Sequence, residues 1–422
     1  MRWLQIVGVA VVVALLAGYI FFYFPMRETH PVAMPGKGDL VIIAGRVYTT
    51  PDAPPMEHGR VVIHDGVISA VGPDLAEPPG AKVIACEKCS LVAGFWNMHV
   101  HFTEPKWNWP DFKPAETLNA QLADMLTSHG FTTVVDLGSN PLVTIPMRRR
   151  IERGDVLGPS IYTAGTALYP PDGIPYYLHS LPFYLRWLMP QPKTAEDAAA
   201  AVSRNNLRGS DVVKLFTGSY VARGTVKAMP LPVAQSAVDT AHLYGQVVFA
   251  HPSNLEGVKI AIDSGVDVLA HAPDTTKGVD ADVIRSMVKR KMAMTPTLKM
   301  FAVTVTDSAG YLQPIYAVVR QFRDAGGQLL FGTDVGYMTD YDTADEIRAL
   351  QKCGLSAREI LQMLTTAPAQ RMGAVDSRGT IAVGKWADLV VVDGDPMQDP
   401  VNLSRVRLTV RLGRVLYQRS EP

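Results

Sequence analysis

This 422-residue sequence predicts an α/β fold: a (β/α)8 barrel of the TIM type, a small β-sandwich domain formed from both ends of the chain, and an N-terminal transmembrane helix. Three observations predict it. The middle of the chain alternates short apolar strands with segments of helical periodicity. Two stretches of short strands flank that middle, and an apolar run opens the chain.

That opening run, Trp3 to Phe24, is interrupted only by Gln5 and is long enough as a helix to cross a hydrocarbon core of about 30 Å. Its far end, Tyr19 to Phe24, is aromatic, as an interfacial belt would be. Pro25, Met26 and Arg27 follow with no small-residue cleavage pattern, so residues 1–26 are expected to be an uncleaved membrane anchor and 27–37 a linker. Arg2 before the run and Arg27 and Lys37 after it leave the positive-inside rule undecided. A single leading anchor before a large domain more often exports that domain, which places the rest outside the cytoplasm, periplasmic in a bacterium.

Residues 38–90 read as short strands rich in Val and Ile, punctuated by Asp65-Gly66 and Gly72-Pro73. Residues 376–422 have the same character, so the two stretches are expected to build one sandwich domain. Within the first, Cys86-Glu87-Lys88-Cys89 lacks the four ligands of a structural zinc site and lies between strand-like runs. It reads as a hairpin turn closed by a disulfide in an oxidising compartment. Cys353 is left without a partner and is expected to be buried.

In residues 91–375, strands are expected at Leu91 to His101, Thr132 to Leu137, Ser160 to Ala164, Asp211 to Phe216, Gln246 to His251, Asp267 to His271, Met292 to Thr297 and Gln328 to Asp334. Helix-like segments fall between them, among them Ala195 to Leu207, Pro232 to Tyr244 and Leu255 to Ser264. Active sites of such barrels form at the C-terminal strand ends. There the sequence places His99 and His101 on the first strand, Lys214 on the fourth, His251 on the fifth, His271 on the sixth and Asp334 on the eighth. In a strand, residues two apart share a face, so His99 and His101 can hold one metal ion together. Taken singly, each residue has a plain structural reading: a bonded core histidine, an edge lysine, a helix cap. Four of ten histidines at one barrel rim, beside a lysine and an aspartate, point instead to a metal centre.

Forty basic residues balance forty acidic ones, and no basic stripe marks a nucleic-acid partner. The expected partners are a small-molecule or short-peptide substrate and the membrane through residues 3–24; a homo-oligomer is compatible with the sequence.

The segment Val92 to His101, the Gly332-Thr333-Asp334 triplet, Ala367-Pro368-Ala369 and the stretch Gly379 to Val391 resemble motifs of the amidohydrolase superfamily, in its imidazolonepropionase-like branch that includes Xaa-Pro dipeptidases. The resemblance runs from about Gly38 onward. It implies two divalent ions, zinc first among the candidates: one held by His99, His101 and Asp334, a second by His251 and His271. Lys214, N-carboxylated by carbon dioxide, would bridge them. It further implies cleavage of a C–N amide bond in a peptide, dipeptide or cyclic amide by a metal-bridging hydroxide, with Asp334 as general acid and base. The chain departs from the usual pattern at Ala93, where Pro is common, and at Asn97, where Asp is common. Asn97 is expected to face away from His99 and to act only indirectly.

Substrate contacts are less determined. The aromatic and proline-rich segment Tyr169 to Pro192, with Tyr176, Tyr177, His179, Tyr184 and Trp187, reads equally as a lid, a membrane-facing patch or a pocket wall. Tyr220 and Arg223, on the loop after the fourth strand, offer a hydroxyl and a guanidinium to a substrate carboxylate. His179 is a third candidate contact. Alternative readings are a mononuclear hydrolase or deaminase of a heterocycle, a lactone or ester hydrolase, and, outside enzymes, a membrane-anchored binding protein on an inactive barrel.

Overall fold

The computed structural model describes residues 32–183, 186, 188–305 and 310–420. Eight parallel strands form the barrel: β5 (Phe95–Val100), β6 (Phe131–Asp136), β7 (Ser160–Thr163), β8 (Val212–Phe216), β11 (Val247–His251), β12 (Val268–Leu269), β13 (Ala293–Met294) and β14 (Gln328–Leu329). They fall into a three-stranded and a five-stranded run. Two bridges close the ring, Leu168 with Leu215 and Val100 with Val335. At the second closure Met98 N–H donates to Phe331 O (2.8 Å) and Asp334 N–H to His99 O (2.8 Å). Glycine is required there: a Cβ on Gly336, at φ +95°, would lie 1.8 Å from His101 O, and one on Gly332 would lie 2.3 Å from Thr295 Cγ2.

The outer helices carry one apolar stripe each. In α1 (Ala115–Met125) Leu118, Leu122 and Met125 are buried, the i, i+4, i+7 spacing of a helix packed on a sheet. In α4 (Leu231–Leu243), which follows α2 (Pro141–Glu152) and α3 (Ala195–Leu207), the stripe is Val233, Ala234, Ala237, Val238 and Ala241. Thr194 and Asp197 form a capping box that starts α3, and Asn254 caps α5 (Leu255–Ser264).

The chain ends meet in one seven-stranded sheet, ordered β17-β16-β15-β4-β1-β2-β3. Its members are β1 (Asp39–Val47), β2 (Met56–His64), β3 (Val67–Gly72), β4 (Lys82–Ala93), β15 (Leu389–Asp393), β16 (Val406–Arg411) and β17 (Arg414–Gln418). The seam is β15, antiparallel to both β4 and β16. Its Leu389 and Val391 join a cluster with Ile42, Val61 and Leu408, while Val390 and Val392 face Phe95 and Phe131 of the barrel. A strand apolar on both faces is what burial on both faces demands. The two ends therefore share one hydrogen-bonded sheet. Cys86 and Cys89 are disulfide-bonded, inside β4. They span an irregularity where β1 passes from Ala44 to Arg46 while β4 passes from Cys86 to Ser90, a bulge in place of the expected hairpin turn. Cys353 is free and buried.

The membrane helix requires a correction. Among the described residues no helix is long and apolar enough to cross a membrane. The longest have 13 residues, against about 20 for a span, and spend their apolar side chains on one stripe against the barrel. The run 3–24 lies outside the described residues. Among the described residues the fold is thus barrel plus terminal sheet with no membrane-spanning helix, so the expected transmembrane helix and the membrane-anchored, extracytoplasmic placement that depended on it are not carried forward.

Candidate metal centre

Residues from five strands converge at the C-terminal rim. His99 follows Asn97 near the end of β5 and is fully buried; its Nδ1–H donates to Ala270 O (2.9 Å), which leaves the Nε2 lone pair directed into the barrel. That Nε2 lies 3.2 Å from His101 Nε2 and 3.4 Å from Asp334 Oδ1. His101 Nε2 is 3.1 Å from the same oxygen, and His271 Nε2 is 4.0 Å from Asp334 Oδ2. His271 is fixed in the same way as His99: its Nδ1 lies 2.7 Å from Thr297 Oγ1, whose own hydroxyl donates to Pro296 O (2.8 Å). Nδ1 therefore carries the proton and Nε2 is free. His251, at the end of β11, lies edge to face with His271 (centroids 4.6 Å) and stacks on Phe216 (4.8 Å).

The electrostatics suit cation binding. Burial, then Lys214 and neighbouring rings, hold His99 well below the usual imidazole pKa; burial does the same for His251 and His271. The rings are thus neutral donors. Lys214, buried on β8, is lowered by burial to about 7, with Asp334 opposing the shift. His101 Nδ1 and Asp334 Oδ1 are buried without a hydrogen-bond partner among the described residues. Asp334 sits at φ +60° and Thr297 at φ +49°, left-handed backbone that costs on the order of 1–3 kcal/mol per residue and clusters at functional sites. Ligand atoms of His99, His271 and Asp334 all lie within 4.8 Å of one another, a group able to hold a metal ion. Imidazole nitrogens and a carboxylate gathered at one point are the donor set of a divalent metal, so the residues fit one.

Asn97 does not turn away from His99. Its Oδ1 accepts the N–H groups of His99 and Thr333 (both 3.2 Å) and its Nδ2 donates to Thr333 Oγ1 (2.7 Å), tying the first barrel strand to the last. Tyr220 lies at the mouth, on the hairpin β9 (Gly218–Ala222) and β10 (Thr225–Ala228) that follows β8, with its hydroxyl 3.0 Å from Thr275 Oγ1. Arg223 is exposed at the tip of that hairpin. His179 is also exposed, its ring bonded to Ile174 O (3.2 Å). Around it the segment after β7 folds inward: Tyr169 stacks on Phe216 (4.6 Å), with Leu178 and Met189 against the pair. Tyr184 and Trp187 lie outside the described residues.

Three residues of the site region were not singled out in the sequence: Thr297, Asp274 and Asp136. Asp136 ends β6 and binds Ser139 Oγ (2.5 Å) and Thr163 Oγ1 (2.7 Å). Thr297 and Asp136 fall at or next to expected strand ends, so the strand-end rule applied to the second and seventh strands would have found both.

The Amidohydrolase family model matches residues 90–416, more than three quarters of the chain. The chain belongs to the amidohydrolase family. Among curated relatives, an uncharacterized protein of Mycobacterium tuberculosis is 31% identical over 235 residues, 51% of this chain and 60% of the relative. The chain thus spans about three fifths of the length of the first curated relatives it matches. An ochratoxinase of Aspergillus niger is 21% identical over 88% of this chain and 85% of its own length. Among solved structures, a Xaa-Pro dipeptidase with bound methionine in its active site superposes with a TM-score of 0.78, at 23% identity, over 90% of this chain and 100% of that one. A molinate hydrolase gives 0.75 at 20% identity over 90% and 95%. At these identities the structural likenesses establish the fold.

Proposed function

We propose that this amidohydrolase is a metal-dependent hydrolase of amide C–N bonds in small molecules or short peptides. The observation that carries the reading is the convergence of the Nε2 atoms of His99, His101 and His271 on the Asp334 carboxylate, at 3.1–4.0 Å, with the Nδ1 atoms of His99 and His271 engaged elsewhere. His99, His101 and Asp334 would hold one divalent ion, and His251 and His271 a second; imidazole and carboxylate favour zinc. A bound ion supplies Lewis acidity, lowering the pKa of water and polarising a carbonyl.

The remaining chemistry belongs to side chains of the chain. Lys214, lowered to about 7, carries a neutral amine fraction at physiological pH. Its Nζ lone pair could form a bond to the carbon of carbon dioxide and release one proton, giving a carbamate whose oxygens would serve as metal ligands. Asp334, at the centre of the imidazole cluster, is positioned to accept a proton from the attacking water and return it to the leaving nitrogen. Neutral His99 and His271, each bonded through Nδ1, hold no proton at Nε2 that would compete. The relatives named Xaa-Pro dipeptidase, ochratoxinase and molinate hydrolase are precedents for small substrates on this scaffold.

Metal analysis of the purified full chain tests the reading. About two ions per chain are expected, fewer in Lys214→Ala. Asp334→Asn is expected to lower turnover of any cleaved amide by about 10²–10⁴-fold. A metal-free protein inert toward a broad amide panel after reconstitution would refute it.

A further inference from the structure

His251 is held by different means from His99 and His271. The Nδ1 atoms of those two rings are bonded to Ala270 O and Thr297 Oγ1, so a hydrogen bond sets how each faces the cluster. Among the described residues neither ring nitrogen of His251 has a hydrogen bond or an ion pair; Thr217 Oγ1 reaches only its backbone O (3.3 Å). The outer torsion of an imidazole has broad wells, so a ring without such a bond takes its orientation from packing.

Strand register supplies that packing. In the parallel pair β8 and β11, Phe216 stands opposite His251 and Lys214 opposite Phe249. Residues two apart on a strand share a face, so Lys214 and Phe216 lie on the face of Val212 and His251 on that of Phe249, both members of the cluster inside the barrel. The Phe216 ring stacks on His251 (centroids 4.8 Å, planes 17° apart) and on Tyr169 (4.6 Å, 30°). Phe216 and Tyr169 are each only 8% exposed. Their backbones are tied as well, Phe216 N–H donating to Leu168 O (2.9 Å) and Tyr169 N–H to Pro190 O (2.9 Å). A buried phenyl fixed in this way is a rigid wall for the His251 ring, and stacked contact favours one tilt of that ring over the others. The same phenyl lies 5.5 Å from Lys214 Nζ, so one ring borders both the imidazole and the amine.

We propose that Phe216 is a positioning residue for His251, its stacked ring doing by contact what Ala270 O and Thr297 Oγ1 do for His99 and His271 by hydrogen bonding. The proposal rests on the reading of His251 and His271 as holders of a second ion, and it adds the group that aims one of them. Leucine in place of Phe216 fills much of the volume but offers no flat face, so His251 gains orientations that turn its nitrogens away from the cluster. A phenyl that only filled space would be replaced by leucine at a cost in stability alone.

Two measurements on the full chain, with Phe216→Leu and Phe216→Tyr beside wild type, test this. The first needs no metal: the chelator-treated protein is modified with diethyl pyrocarbonate, and the rate at each histidine is read by mass spectrometry. His251 is expected to react about threefold or more faster in Phe216→Leu, the scale of one aromatic pair, with His99 and His271 unchanged and Phe216→Tyr at the wild-type rate. The second titrates the same proteins with Co2+ against a competing chelator. The second ion is expected to bind about tenfold more weakly in Phe216→Leu, with a shifted visible Co2+ absorption, and as in wild type in Phe216→Tyr. Second-ion affinity and absorption unchanged in Phe216→Leu, faster modification of all three histidines, or equal losses in the leucine and tyrosine variants would overturn the positioning role. A His251 rate that depends on the Phe216 ring, in a wild type that takes up no second ion, keeps that role and counts against the second-ion reading.

Discussion

The two ends of the barrel bury charge in opposite ways. At the N-terminal end, beneath β7, Arg411 donates to both carboxylate oxygens of Glu152 and to Ser160 Oγ. Arg378 donates to Thr133 Oγ1 and Ser160 Oγ, faces Asp388 at 3.4 Å and stacks 4.5 Å from the Trp386 ring. A cavity of about 380 Å3 opens here, yet its charged lining is already engaged within the protein. At the C-terminal end, imidazole lone pairs face one another and a carboxylate, and backbone strain sits at Thr297 and Asp334. Space alone does not identify the functional end. Convergence does: buried polar atoms without a partner occur at both ends, Asp388 Oδ2 at the base and Asp334 Oδ1 at the rim, but at the rim imidazoles from several strands turn toward one carboxylate.

The sharpest way to break this contrast is at the base. Arg411→Met strands Glu152, a buried carboxylate, and is expected to cost about 3–5 kcal/mol of stability. The double variant Arg411→Met/Glu152→Leu should recover most of that loss, since an apolar pair of similar volume can replace a buried ion pair. Metal content of the folded fraction should not change. Denaturant unfolding with metal analysis decides it, and a single variant as stable as wild type would show that the base pairs carry no structural weight.

How much of this arrangement can be read from the chain depends on separation along it. The strand-end rule needs only local patterns, so His99, His101, Lys214, His251, His271 and Asp334 are legible as rim residues. Their supports are not. Thr297 reaches His271 across 26 residues, and Glu346 reaches Lys299 across 47, contacts that exist only once the barrel closes. Asn97 was misassigned although alternation, two residues before His99, already puts it on the same face; its partner Thr333, beyond the last barrel strand, is the part that the sequence hides. The terminal sheet shows a further limit. Alternation identifies the strands, but their order is set by β15, which pairs with β4 and β16 from opposite ends of the chain, a pairing that no local pattern reveals.

Glu346 sharpens the comparison, because it is the rim's counterpart of Glu152. It is buried, its Oε2 accepts Lys299 N–H (2.6 Å), and its Oε1 has no partner among the described residues. Burial raises it to about 7 from an ordinary value of 4.5. Between those values the folded protein holds a proton that the unfolded chain has released, so stability should fall as pH rises from about 4.5 to 7 and level off above. The contribution is on the order of 3 kcal/mol. Glu346→Gln should flatten that part of the profile. Equal pH slopes for the variant and wild type in chemical denaturation would mean that this carboxyl ionises normally.

The smallest expected effect falls on Thr297, where the rim's scaffold meets its ligands. The Thr297 hydroxyl accepts His271 Nδ1–H while donating to Pro296 O, and so fixes which ring nitrogen points at Asp334. Thr297→Val keeps the branched shape and the same left-handed backbone but removes the acceptor, freeing His271 to rotate or change tautomer. Metal affinity, measured by competition with a chelator, is expected to fall about 10–100-fold. Thr297→Ser, which retains the hydroxyl, should stay near wild type. Should both variants bind metal as wild type does, the orientation of His271 would have to be set by packing against His99 and Phe301 alone. The rim would then resemble the base, a site whose geometry does not depend on any one polar bond.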